Sequence, residues 1–122
     1  MEQSKELKLK RLANNVRFGI IEGVYNAACG HPGGSLSIAD IMTYLYFEEM
    51  RIDPANPKAE GRDRFVLSKG HTAPALYATL AERGYFDKAE LKTLRKTDSR
   101  LQGHPDMKGI PGVDTRWGKQ AS

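Results

Sequence analysis

Arg62-Asp63-Arg64-Phe65-Val66-Leu67-Ser68-Lys69-Gly70-His71 is the stretch that decides how this chain folds. The apolar triplet Phe65-Val66-Leu67 reads as a short buried strand. The switch to Ser68-Lys69-Gly70-His71 reads as a turn feeding a helix that starts near Ala73 or Pro74. That order has a functional meaning. In open α/β folds ligands bind beyond the carboxyl ends of strands, where a helix start offers free amides and the positive end of its dipole to a phosphate.

Toward the N-terminus, Leu12, Val16, Ile20, Val24 and Ala28 recur every four positions between about Ser4 and Cys29, with Leu9, Ala13 and Ile21 alongside. This is the period of a helix with a buried stripe. Gly19 and Gly23 fall in the same helix, and each costs about 1 kcal/mol against alanine there, so close packing of another backbone is the expected compensation. Gly30 ends the helix and opens the loop Gly30-His31-Pro32-Gly33-Gly34-Ser35, whose glycines and proline suit a backbone passing close to a ligand. Ser37 and Asp40 have the spacing of a capping box. They predict a second helix from Ile38 to about Met50, with Ile38, Ile41, Met42 and Leu45 turned inward, Glu48 and Glu49 outward, and Pro54 and Pro57 closing it.

Toward the C-terminus, a third helix carries Ala73, Leu76, Tyr77 and Leu80 and ends at Gly84. Asp87 with Glu90 then caps a fourth, shorter helix holding Leu91 and Leu94. Beyond Asp98 two Gly and Pro clusters, Gln102-Gly103-His104-Pro105-Asp106 and Gly109-Ile110-Pro111-Gly112-Val113-Asp114, predict a backbone shaped around a ligand.

A chain of 122 residues fits one domain. With 39% hydrophobic and 28% charged residues, its composition is that of a soluble globular protein rather than a disordered or fibrous one. The net charge of +4 favours anionic partners. Because basic and acidic residues are interleaved, phosphorylated small molecules fit better than nucleic acid, and Lys5 to Arg11 reads as the polar face of a helix start with Leu7 and Leu9 behind it. A single cysteine, Cys29, excludes an internal disulfide and suits a cytoplasmic protein; between Ala28 and Gly30 it is expected to pack rather than to react. No stretch approaches the ~20 apolar residues of a membrane span, and the first ten residues lack a signal-peptide core. Neither membrane nor nucleic acid is an expected partner.

All three histidines, His31, His71 and His104, sit on glycine-rich turns, and none lies on an apolar helix stripe. Any one alone has an equal claim to a structural role. Three in matching contexts favour a shared polar pocket, where imidazole can donate, accept or shuttle a proton near neutral pH. A three-histidine zinc site is the rival reading, but two histidines one helical turn apart are absent, so no metal ligand is assigned. Ser68 and Ser99 have no nucleophile motif around them.

His31-Pro32-Gly33-Gly34-Ser35, Arg64-Phe65-Val66-Leu67-Ser68-Lys69-Gly70-His71 and Gln102-Gly103-His104-Pro105, in this order and spacing, resemble the N-terminal thiamine diphosphate-binding region of transketolase. The wording is nearest to the N-terminal subunit of transketolases split over two chains. The resemblance implies an α/β fold for the family, of which this chain is a predominantly helical part with one or two short strands. It implies two-carbon ketol transfer between phosphorylated sugars in the pentose phosphate pathway, with thiamine diphosphate and Mg at a dimer interface. By the same resemblance His71 and Gly70 contact the cofactor diphosphate, while His31 and His104 hold hydroxyls of the donor sugar.

Residues 1–114 are read as a partial transketolase N-terminal domain and residues 115–122 as a divergent tail. Where the family continues with Ser-Thr-Gly-Ser-Leu-Gly-Gln-Gly, this chain has Thr115-Arg116-Trp117-Gly118-Lys119-Gln120-Ala121-Ser122. A shifted reading of codons for Arg116 to Lys119 yields Ser-Leu-Gly-Gln, so a frameshifted tail is one expectation. A chain lacking the later motifs is expected to be inactive by itself and to self-associate, with a C-terminal transketolase subunit as a further candidate partner. The alternatives are a non-catalytic helical binding module and an inert remnant.

Overall fold

A computed structural model describes residues 3–27, 32–67, 72–102 and 109–114. The element order is α1 (Gln3–Ala27), α2 (Pro32–Leu36), α3 (Ala39–Tyr44) running on into a π-helical turn at Leu45–Glu49, α4 (Ala73–Arg83), and a 3-10 turn at Lys88–Thr93.

The fold is built around α4. Ala73, Ala75 and every residue from Leu76 to Ala81 are buried, which is the mark of a helix enclosed by others on all sides. It packs against α1, α2, α3 and the 3-10 turn. The alanines let neighbours come close. On α1 the buried stripe is Ala13, Val16, Ile20 and Gly23. A Cβ placed on Gly19 would lie 3.0 Å from Ala78 Cβ and 3.2 Å from Leu91 Cδ1, and one on Gly23 would lie 3.3 Å from Leu94 Cδ2. The two glycines are therefore a notch for α4 and the 3-10 turn, as their spacing predicts.

Helix ends follow local chemistry. Gly84, at φ 108°, takes the left-handed conformation that ends α4. Its N–H reaches Ala81 O at 3.2 Å while the Tyr85 N–H reaches Leu80 O at 3.0 Å, a Schellman closure. The Asp87 carboxylate accepts the Ala89 N–H at 2.9 Å, as a cap should. The short helix it starts is 3-10 rather than α, and Glu90 pairs with Arg100 (2.5 Å from Oε2 to Nε) instead of reaching back to the cap.

Four expectations need correction. Phe65 to Leu67 has no regular secondary structure, and no strand is present among the described residues. The Phe65 N–H bonds to the Asp114 carboxylate at 2.9 Å rather than to a neighbouring backbone, and Val66 is 62% exposed. An apolar triplet shows a wish for burial but cannot supply the second strand that a ladder requires. The capping box does not form either. Ser37 Oγ donates to Gly34 O at 2.8 Å, Asp40 is occupied by an ion pair with Arg17, and α3 starts without a side-chain cap.

The second helix is also not uniform. Beyond Tyr44 it widens into the π turn, closed by the Met50 N–H on Leu45 O at 2.8 Å. Its inward residues are Ala39, Met42, Thr43 and Tyr46, and Ile41 is 63% exposed. Finally, Pro32–Leu36 is one helical turn rather than open loop. On α1, Leu7 and Ile21 face out while Leu9 is half-buried. Lys5–Glu48 (2.7 Å) and Lys10–Glu6 (3.3 Å) are ion pairs on the basic face.

Candidate functional site

His31, Gly70, His71 and His104, with Cys29, lie outside the described residues. What the structure supplies is the chain on either side of them. Four residues after His31, Ser35 is fully buried in α2, which packs on α1 and α4, and its Oγ has no hydrogen-bond partner. On the two sides of Ser68 to His71, Leu67 and Thr72 are both buried. Just before Gly103-His104, the Gln102 carbonyl accepts a hydrogen bond from the hydroxyl of Tyr77, on α4. The Gln102 side chain in turn donates to Ser99 O at 2.6 Å and Lys96 O at 3.0 Å, so this loop closes on itself. Each histidine-bearing segment is thus flanked by residues anchored to the helical body that α4 organises.

One anchor was not legible in the sequence. Arg62 Nη1 lies 2.7 Å from Asp114 Oδ1, with side chains only 14% and 7% exposed. The other carboxylate oxygen takes the Phe65 N–H. Tyr46, on the π turn, packs edge-on to Phe65 with ring centroids 5.9 Å apart. Burial pushes its phenol far above the ordinary range and the Asp114 charge pushes the same way, so the hydroxyl keeps its proton. That hydroxyl and Arg62 Nε are both buried without partners. No local motif announces this cluster, because its members come from distant segments.

Cavities lined by described residues lie elsewhere. One of about 320 Å³ is lined by residues such as Lys8, Leu12 and Phe47, between the start of α1 and the π turn. Another, about 160 Å³, lies between α1 and α4 beside Phe18 and Glu82. Among the described residues no group of three or more His, Cys, Asp or Glu is placed to hold a metal ion, and no helix is long and apolar enough to cross a membrane.

Comparison with known proteins decides the family. Residues 8–120 match the model for the transketolase, thiamine diphosphate binding domain. The chain belongs to the transketolase family. It is 45% identical over 114 residues to the 6-deoxy-6-sulfo-D-fructose transketolase subunit SqwG of Clostridium sp. (strain MSTE9), a match covering 93% of this chain and 42% of that protein. With an apulose-4-phosphate transketolase subunit of Phocaeicola vulgatus it shares 42% identity, over 95% of this chain and 40% of that one. Against mouse transketolase the identity is 47%, over 85% of this chain and 17% of that one.

Among solved structures, the transketolase from Leishmania mexicana superposes with a TM-score of 0.82 at 35% identity, over 86% of this chain and 16% of that chain. Transketolase from Pichia stipitis in complex with sedoheptulose-7-phosphate superposes at 0.81 with 35% identity, again over 86% and 16%. The family fold expected from the motifs is therefore present. The chain spans less than half of the length of each of these relatives.

The thiamine diphosphate of this family needs polar partners and anion-binding groups. Ser35 Oγ, buried and without a partner on the turn that follows His31, fits a polar ligand at that place.

Proposed function

We propose that this chain is the N-terminal portion of a transketolase, carrying part of the site for two-carbon ketol transfer between sugar phosphates. The observation that carries this reading is 45% identity across 93% of the chain to a relative that is itself named a transketolase subunit. Thiamine diphosphate, when bound, supplies an electron sink for the carbon–carbon chemistry. This chain's residues bind and orient. His71 and Gly70 hold the diphosphate, and His31 and His104 hold hydroxyls of the donor sugar and move protons to and from them. Mg accompanies the cofactor in this reading, with its ligands outside this chain. The work is cytoplasmic and belongs to the pentose phosphate pathway.

Two relatives are themselves named as transketolase subunits, which supports a partner chain, the C-terminal subunit of a split transketolase. The test is a ketol-transfer assay with thiamine diphosphate and Mg, run with and without that C-terminal chain. The chain alone is expected to be inactive and the pair active. His31→Ala or His104→Ala in the pair should lower kcat by about 10²–10⁴-fold. Activity of the chain alone overturns the need for a partner. A pair that neither turns over nor binds cofactor overturns the assignment.

Self-association is proposed as well. Phe18 and Tyr25, on one face of α1, are 75% and 81% exposed, with Ile21 between them. Sedimentation velocity reads this directly, and a monomer at every concentration contradicts it.

A further inference from the structure

We propose that a second copy of this chain covers the outer face of α1, the two helices running antiparallel with Lys8 of each copy beside Glu22 of the other. The inference rests on the self-association proposed above and names its surface, direction and register.

Leu7, Arg11, Asn14, Phe18, Ile21 and Tyr25 follow one another by alternate steps of four and three residues, the repeat of a seam between two paired helices. All six are exposed, and they line the side of α1 opposite its buried residues Ala13, Val16, Ile20 and Gly23. The seam runs for about 27 Å. Leu7, Phe18, Ile21 and Tyr25 are 54%, 75%, 48% and 81% exposed, an apolar stripe of the kind that marks a protein contact.

Charge decides the direction. Lys8, Lys10 and Arg11 lie toward one end of this face and Glu22 toward the other. A parallel pair sets the two basic ends against each other, whereas an antiparallel pair brings each basic end to the acidic end of its mate. One antiparallel register uses the whole seam. Leu7 then meets the second copy's Tyr25, Arg11 meets its Ile21 and Asn14 meets its Phe18, and two-fold symmetry repeats each contact. The same register sets Lys8, on the flank of the seam, beside the second copy's Glu22. Neither residue has an ion pair within its own chain among the described residues. The polar members of the seam fit as well. Arg11 can lay its stem over Ile21 with the guanidinium in water, and Asn14 Oδ1 already accepts from Arg17 Nη1 at 2.6 Å, so covering it leaves no bare acceptor.

Sedimentation velocity of the full chain reads the association at low salt, where ion pairs weigh most. Circular dichroism checks that each variant is folded, as substitutions on an exposed face should be. Phe18→Ser removes a covered ring from both halves of the pair, so the dimer dissociation constant should rise at least about 100-fold. Glu22→Lys and Lys8→Glu should each weaken association about five- to tenfold, and the two together should restore it. Within one chain these residues stand about 21 Å apart along α1, so rescue can act only between copies.

A chain that stays monomeric at every concentration overturns self-association itself. A dimer that Phe18→Ser leaves intact keeps self-association and overturns the α1 face as its seat. A dimer weakened by Phe18→Ser, in which the double charge variant associates no better than the single ones, overturns the antiparallel register. If Phe18→Ser abolishes binding of a C-terminal transketolase subunit and leaves the dimer unchanged, that subunit covers the face and the proposed pairing falls.

Discussion

Arg62→Ala is expected to lower the free energy of unfolding by about 3–5 kcal/mol, seen as a fall in the denaturant midpoint at unchanged slope. The reason is what remains behind. Asp114, 7% exposed, would keep its charge without the guanidinium that lies 2.7 Å away. For a domain with a total stability on the order of 5–15 kcal/mol, that is a large share. A double-mutant cycle separates this from lost packing. Arg62→Met combined with Asp114→Asn removes both charges and keeps an acceptor for the Phe65 N–H, so its loss should be smaller than the sum of the two single losses. Strict additivity would show that the two residues do not act as a pair.

Gly112→Ala should cost about 2–5 kcal/mol, through two separate effects. At φ 91° the residue sits in the left-handed region, where any Cβ costs roughly 1–2 kcal/mol. The added carbon would also lie 2.8 Å from Leu80 Cδ2, and 2.8 and 2.9 Å from ring carbons of Tyr85. Leu80 is completely enclosed and cannot withdraw, so overpacking adds about 1–3 kcal/mol. A thermal midpoint lowered by on the order of 10 °C checks this, and an unchanged midpoint refutes it.

How much the residues alone disclosed depended on the range of the interaction. Gly19 and Gly23 announced the close approach of another element because their cost in a helix has to be offset. Gly84 and Asp87 announced helix ends because those signals act over three or four residues. The reading of Phe65 to Leu67 failed because strand formation depends on a partner from elsewhere, and here a carboxylate takes the amide instead. Ser37 and Asp40 had the right spacing for a cap, but Arg17 claimed the acid across the α1–α3 contact. Ile41 faced out because Ala39, Met42, Thr43 and Tyr46 fill the inner side. Arg62 and Asp114 gave no local signal at all. The candidate residues themselves were found through three short motifs, and the structure adds the anchored chain around them.

The segment between Arg51 and Asp63 is fastened at its base by two hydrogen bonds, from the Arg51 N–H to Asp63 Oδ2 at 2.6 Å and from the Asp63 N–H to Arg51 O at 2.9 Å. Its tip, with Asn56, Lys58, Glu60 and Gly61, is open to solvent. Lengthening a loop of this kind is cheap, at roughly 0.6 kcal/mol for each doubling, because the closure is already secured at the neck. An epitope or a fluorescent label grafted between Asn56 and Gly61 would therefore leave the helical body intact.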